Sequence, residues 1–357
     1  MPLRSTAPRE TPLPTRRRVL KSGLGAGLGL GAIGLLGACS ATVSTASAAS
    51  NASTGSGPWT FTDDRGTTVR LDSAPTKVVA YTGTAAALYD FGVPVDRLVG
   101  VFGPTKLSSG KADPMAGNLP VDKVTVIGNT YGEFDVAKYA ELDPQVLITD
   151  MWERNSLWYV PAASLSKIEK LAPTIGITVA SEPLTTPLAR YEKLAGLLGA
   201  DLTASAATKA KTSFQQAVEQ LRSAAQTAKG NGPIKVMAAS ASADLLYISD
   251  PKVYPDLSYY EQIGVEFIQP TNVVGGFFEN LSWENAGKYR ADLILLDSRT
   301  SALQPADLAG KATWTALPAV KADQIVGWNS EPRYSYTAIA PIVRGIATAL
   351  QNAKKVA

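Results

Sequence analysis

Thr203-Ala-Ser-Ala-Ala-Thr-Lys-Ala-Lys-Thr-Ser-Phe-Gln-Gln-Ala-Val-Glu-Gln-Leu-Arg-Ser-Ala-Ala-Gln-Thr-Ala-Lys229 contains neither glycine nor proline. Its apolar positions Ala206, Ala210, Phe214, Val218, Leu221 and Ala225 recur every three or four residues, which is one stripe of an α-helix. At a rise of about 1.5 Å per residue the run spans roughly 40 Å, enough to cross between two lobes. Gly230-Asn-Gly-Pro233 ends it.

Strand and helix signals alternate on both sides of this run. Before it, Trp59–Gly66 and Thr67–Leu71 read as a hairpin turning at Asp64–Gly66. Strands follow at Lys77–Thr82, Leu98–Val101, Gln145–Asp150 and Pro173–Val179, with helices at Ala85–Phe91, at 135–142 and within Asn155–Leu171. After it, strands are expected at Ile234–Ser240, Leu293–Asp297 and Gln324–Trp328. Helical segments are expected at Ser258–Ile263, closed by Gly264, from Leu281-Ser-Trp-Glu284 with Ser282 as cap, at Trp314–Leu317 and at 337–353. The expected fold is α/β: two lobes, each with a mainly parallel sheet flanked by helices, joined by one long inter-lobe helix. The first lobe is placed at 58–187, the connecting helix at 188–230 and the second lobe at 231–357.

Composition narrows the chemistry. The 357 residues include no histidine, which excludes His–Asp triads, His-ligated metals and His proton shuttles. The single cysteine, Cys39, excludes an intrachain disulfide and a Cys–Cys metal site. Lys+Arg 34 against Asp+Glu 31 gives +3; six basic residues and one acid lie in 1–39, so the remainder has 28 and 30, or −2. No basic domain is left to bind nucleic acid. The composition favours binding over catalysis.

The N-terminus reads as an export address. Arg16-Arg-Arg-Val-Leu-Lys21 resembles a twin-arginine (Tat) motif, and Ser22–Ala38 is an apolar Gly/Ala/Leu core too short for a confident membrane span. It ends in Leu36-Gly-Ala-Cys39, which resembles a bacterial lipobox, so residues 1–39 are expected to be a lipoprotein signal peptide and Cys39 the lipidation site. Residues 40–57 lack charge and read as a flexible tether. The expected location is outside the cell membrane, on its outer face, held by lipid.

In open α/β sheets ligands bind beyond the carboxyl ends of strands. That rule nominates Tyr81, Thr82, Met151, Trp152, Arg154, Trp158 and Tyr159 in the first lobe. In the second it nominates Ser240, Tyr247, Ser298, Arg299, Trp328, Arg333, Tyr334 and Tyr336. Of these, Tyr81, Thr82, Trp152, Arg154, Trp158, Tyr247, Arg299, Trp328, Arg333 and Tyr334 form the expected ligand-binding set. Phe277, Phe278, Tyr259 and Tyr260 are read as packing residues, and Arg333 as a candidate ion pair with Glu331.

Four stretches, taken in order, resemble a known family: Lys77-Val-Val-Ala-Tyr with its helix and Gly92-Val; Ala140-Glu-Leu-Asp-Pro-Gln-Val-Leu-Ile148; Ile168–Ile177; and Leu281-Ser-Trp-Glu284 with Ala291-Asp-Leu-Ile-Leu. The chain resembles the helix-hinged (class III) periplasmic substrate-binding proteins of ABC importers, the ferric siderophore and cobalamin group, over roughly residues 60–350. The resemblance implies capture of an iron(III)–siderophore complex in an inter-lobe cleft and delivery to an ABC permease and its ATPase. The protein would act as a monomer with no cofactor of its own, since iron arrives saturated by its ligand's oxygens. Arginine forks would donate to those oxygens and aromatic faces cover the organic shell. Glu284 falls on the family's second-lobe docking glutamate; Ala137 stands at the first-lobe position, where Asp135 or Glu133 is the substitute. Other readings are cobalamin, a haem-type cofactor held by Tyr or Met, or a secreted carboxylate hydrolase using Asp297 with Glu284 or Asp150 with Glu153.

Overall fold

The computed structural model describes residues 57–357. The expectations for the signal peptide and Cys39, and for the tether up to residue 56, lie outside the described residues.

The first lobe opens with the hairpin of β1 (Trp59–Thr62) and β2 (Thr68–Leu71). Asp63 shapes its turn by accepting from the Arg65 and Thr67 amides, each at 3.0 Å. The main sheet uses β3 (Val78–Tyr81), β4 (Leu98–Phe102), β5 (Thr125–Gly128), β6 (Val146–Met151) and β7 (Thr174–Thr178). Their order is β5-β4-β3-β6-β7 and every pair is parallel. Crossovers carry α1 (Thr82–Asp90), α2 (Val136–Glu141) and α3 (Leu165–Leu171). Covered on both faces, β3 and β6 are buried at every position, which is why they read as unbroken apolar runs. The strand β5 was not expected from the sequence.

The connection expected as one helix over 188–230 is two helices, α4 (Thr185–Leu197) and α5 (Ser205–Gly230). Gly199 sits between them at φ +90°, a left-handed position that ends a helix and that glycine adopts without strain. The buried stripe of α5 is Phe214, Ala217, Val218, Leu221, Ala224 and Ala225, while Ala206 is exposed, so the apolar face begins after the helix does. Its 26 residues make a rod of about 39 Å.

The second lobe contains β8 (Lys235–Ala241), β9 (Leu245–Ser249), α6 (Pro255–Gln262), β10 (Glu266–Phe267), β11 (Phe278–Ser282) and β12 (Leu293–Asp297). It continues through short turns α7 (Pro305–Leu308), α8 (Ala312–Thr315) and α9 (Pro318–Lys321) to β13 (Ile325–Trp328) and α10 (Tyr336–Asn352). The sheet order is β11-β9-β8-β12-β13, with β10 beside the start of β8. Here the expectation needs correcting in detail. β9 runs antiparallel to β8 and β11, so this sheet is mixed, and Leu281-Ser282 ends a strand before a 3-10 turn at Trp283–Lys288.

α10 returns along α5, with the Tyr336 ring 5.4 Å from Phe214 and Arg344 donating to Ser213 at 2.9 Å. Ser335 starts α10 by accepting from the Ala338 amide at 3.1 Å, and its hydroxyl donates to Asp90 of the first lobe at 2.6 Å. Ser335→Ala removes a helix cap and an inter-lobe bond together. The expected loss in unfolding free energy is about 1–2 kcal/mol, read by urea denaturation.

Candidate functional site

The loops after β4, β5 and β6 in the first lobe face those after β12 and β13 in the second across a cleft of about 380 Å³. On the first-lobe side, the chain leaves β6, loops out, and returns so that the Trp158 amide donates to Asp150 O and Thr149 Oγ1 donates to Trp158 O, both at 2.9 Å. This fixes Trp158 at the cleft wall. Tyr159 follows at φ +62°, a left-handed position costing a non-glycine residue about 1–2 kcal/mol. Packing holds it there: its ring lies 5.0 Å from Tyr81, 5.1 Å from Tyr131 and 5.6 Å from Trp158. Tyr131 is 70% exposed and caps this aromatic group from solvent.

The second-lobe side is built on Asp297. Its carboxylate is fully buried at the end of β12, between the ends of β8 and β13. Ser240 and Ser330 donate to Oδ2 at 3.0 and 3.1 Å, and the Arg299 amide donates to Oδ1 at 3.1 Å. The Arg299 guanidinium adds Nε at 3.0 Å and Nη2 at 2.8 Å to Oδ2, which turns Nη1 toward the cleft. Nη1 meets Glu331 Oε1. Burial works against the charge of Arg299, but Glu331 and Asp297 outweigh it and hold its pKa above the ordinary arginine value. Glu331 Oε2 accepts from Trp158 Nε1 at 3.0 Å and from the Tyr81 hydroxyl at 3.2 Å. Burial and then Glu331 keep Tyr81 protonated, raising its pKa well above the usual phenol range. The lobes also meet where Thr300 donates to Asp113 at 2.9 Å and Arg333 Nη1 donates to Pro114 O at 2.7 Å.

The structure brings only part of the expected set to this cleft. Arg299 lines it directly, and Tyr81 and Trp158 reach its Glu331 from the wall. Tyr247 instead lines an adjoining recess of about 250 Å³ in the second lobe that shares Arg299. Arg333 lies half-buried at the lobe seam and pairs with a backbone carbonyl; the Glu331 partner considered for it belongs to Arg299. Five residues need correction: Thr82, Trp152, Arg154, Trp328 and Tyr334 line neither recess. Thr82 is fully buried, bonded to Phe102 O and Thr105 at the start of α1. Trp328 is buried, with its Nε1 on Asp256 at 2.6 Å. Tyr334 is buried and stacked on Tyr191 at 6.0 Å. Arg154 is exposed and lies outside the lining of both recesses. Each follows a strand, but the chain there dives under the cleft floor or rises past its rim.

Trp152 is also buried, packed against Trp158, Tyr254 and Phe277 at 6.2, 5.8 and 6.4 Å, so Phe277 sits at the seam. The suggested hydrolase pairs are split between interior and surface: Asp297 and Asp150 are buried, Glu284 and Glu153 exposed. Asp135 caps α2 through Oδ1, accepting from the Ala137 and Lys138 amides at 3.0 Å, and its Oδ2 lies 3.6 Å from Lys138 Nζ at the surface. Sequence reasoning missed Asp113, Asn129 and Tyr131 in the cleft and Tyr254 in the adjoining recess. It weighed Glu331 only as a partner for Arg333. Among the described residues no cluster of His, Cys, Asp and Glu is arranged to hold a metal ion, and no helix is long and apolar enough to cross a membrane.

Comparison with known proteins agrees with this architecture. No curated protein matches the chain. Among solved structures it is similar to DesE, a ferric-siderophore receptor protein from Streptomyces coelicolor. The two are 48% identical with TM-score 0.80, over 84% of this chain and 100% of that one. It shares its fold with the petrobactin-binding protein YclQ from Bacillus subtilis (17% identity, TM-score 0.61, 83% of this chain and 99% of that one). The same holds for the siderophore-binding protein FhuD from Vibrio cholerae (17%, 0.56, 78% and 98%). Residues 78–332 match the family described as periplasmic binding protein. That match takes in both sheets and the cleft between them, and the chain belongs to the periplasmic binding protein family.

Proposed function

We propose that this protein captures an iron(III)–siderophore complex in the inter-lobe cleft and delivers it to the permease and ATPase of an ABC importer, without catalysing a reaction. The observation that carries the reading is the wall itself. Arg299 is held on a buried carboxylate opposite an aromatic group of Tyr81, Tyr131, Trp158 and Tyr159. Such a surface recognises a bulky organic shell with oxygen acceptors, and a relative of 48% identity is a ferric-siderophore receptor. The iron is cargo, saturated by its own ligand, so the protein needs no resident cofactor.

The test is a titration of intrinsic tryptophan fluorescence with ferric hydroxamates, ferric catecholates, ferric citrate and cobalamin. Saturable quenching by a ferric siderophore supports the reading. Quenching by cobalamin alone, or by none of them, overturns it.

The protein acts as an exported monomer, anchored through lipid on Cys39 to the outer face of the cytoplasmic membrane after twin-arginine export. A diacyl anchor adds about 0.8 kcal/mol per buried methylene, enough for stable attachment. Cys39→Ser is therefore expected to move the protein from the membrane to the soluble fraction in cell fractionation; unchanged membrane association would refute the anchor. Exposed Glu284 on the second lobe, and Asp135 on the first, are the docking contacts to the permease.

A further inference from the structure

Arg299 has three donor positions on its guanidinium that matter here, and the chain uses all of them. Nε and Nη2 lie on Asp297, and Nη1, the edge turned to the cleft, lies on Glu331. Glu331 is placed deliberately by the loop between β13 and α10: its amide donates to Asn329 Oδ1 at 2.9 Å, which turns the side chain back into the cleft. Its other oxygen takes Tyr81 and Trp158 of the opposite lobe. One carboxylate thus occupies the cleft's central cation and joins the two lobes.

The charges around it decide what can take its place. Lys106 and Arg299 line the cleft, and so do Asp113 and Glu331. Lys106 is turned to Asp122 at 2.9 Å, and Asp297 stands directly behind Arg299. Arg333, at the seam, gives Nη1 to Pro114 O. The two cations that line the cleft, Arg299 and Lys106, are therefore already balanced by carboxylates of the chain, while Arg333 stays outside the lining. A polyanionic complex entering here meets little uncompensated positive charge and must also displace or face Glu331. A neutral or cationic complex meets no such opposition.

We propose that Glu331 is a specificity-determining residue, standing on Arg299 where an anionic ligand oxygen would otherwise bind and biasing the cleft toward ferric complexes of zero or positive net charge. The inference rests on the reading that the cargo is a ferric siderophore. A ferric tris-hydroxamate core is neutral, and an amine tail makes it cationic; a ferric tris-catecholate is a trianion.

The experiment titrates the full chain, wild type and Glu331→Gln, with ferrichrome (neutral), ferrioxamine B (cationic) and ferric enterobactin (trianionic), following tryptophan fluorescence. Glutamine keeps the acceptor for Tyr81 and Trp158 and removes the charge. Wild type is expected to favour the neutral or cationic complex over the trianion at least tenfold. Glu331→Gln is expected to narrow that ratio about tenfold, mainly by tightening the trianion. Glu331→Asp keeps the charge and is expected to keep the preference, which also covers the case in which the glutamine variant fails to fold. An unchanged ratio, or equal weakening toward all three, overturns the role of Glu331 while leaving the siderophore reading intact. If wild type binds none of the three, the siderophore reading fails and this proposal with it.

Discussion

Replacing Arg299 with alanine is expected to cost ligand affinity and fold stability together, and the two losses can be separated. A hydrogen bond from a charged donor is worth about 1.5–3 kcal/mol, so releasing Glu331 from the guanidinium that holds it against Tyr81 and Trp158 at the centre of the cleft predicts a drop in affinity on the order of 10- to 100-fold. The stability loss comes from Asp297. Its side chain is fully buried, and after the substitution it keeps only the Ser240 and Ser330 hydroxyls and a backbone amide. Removing one partner of a buried pair costs about 3–5 kcal/mol, because the remaining charge is stranded. The double variant Arg299→Ala, Asp297→Asn removes that stranded charge. It is expected to regain most of the stability in denaturant unfolding and none of the affinity in the fluorescence titration. If the double variant recovered affinity, Arg299 would be only a strut for the loop after β12. If Arg299→Ala unfolded no more easily than wild type, Asp297 would not depend on it.

The lobes and the long rod were legible because their signals are local. The stripe from Phe214 to Ala225 and the apolar runs of β3, β6 and β12 each encode their own burial. The missed strands carry conflicting signals. In β11, Glu279 points inward, stabilised by Lys288, by the Tyr289 hydroxyl at 2.5 Å and by the Thr271 amide at 3.0 Å, so a buried strand reads as polar. In β5 the pattern is cut short by Gly128, where a Cβ would lie 2.1 Å from Glu133 O as the chain folds back over it. These omissions had a cost at the site. The rule that ligands sit beyond strand ends would have nominated Asn129 and Tyr131 after β5 and Tyr254 after β9, had those strands been recognised. The rule also misled at Thr82, Trp328 and Tyr334. Sequence position gives the end of a strand but not whether the next side chain turns under the sheet or out into the cleft. The ion pair of Arg299 with Glu331 spans thirty-two positions and leaves no periodic trace.

Two buried carboxyls beneath the cleft set the expected pH dependence of stability. Asp150 is buried against the Tyr191 hydroxyl and Thr84, with Tyr334, Glu331 and Tyr81 the other titratable groups near it. Burial raises its pKa to about 7 despite those hydrogen bonds. Asp256 is buried against Trp328 Nε1, near Tyr260 and Tyr334, and burial raises it to about 6. An unfolded aspartate titrates near about 4. Between that value and the folded pKa the native state holds protons that the unfolded state has released, so stability falls as pH rises. The penalty is absent below pH 4, grows between pH 4 and about 7, and is constant above. Carboxylates held low, such as Glu279 at about 2, oppose this trend up to about pH 5.5, where the unfolded glutamate is still partly protonated, and contribute no slope above it. One pKa unit corresponds to about 1.4 kcal/mol, so the combined loss from pH 4.5 to 7.5 is on the order of a few kcal/mol. Asp150→Asn keeps an oxygen for the Tyr191 hydroxyl and abolishes the charge. Its unfolding free energy at pH 8 is expected to equal or exceed that of wild type, with a flatter profile between pH 5 and 7.5. Wild-type stability that climbed through this range, or a slope untouched by the substitution, would mean that Asp150 is ionised at no cost within the fold, contrary to its burial among β6, α1 and α4.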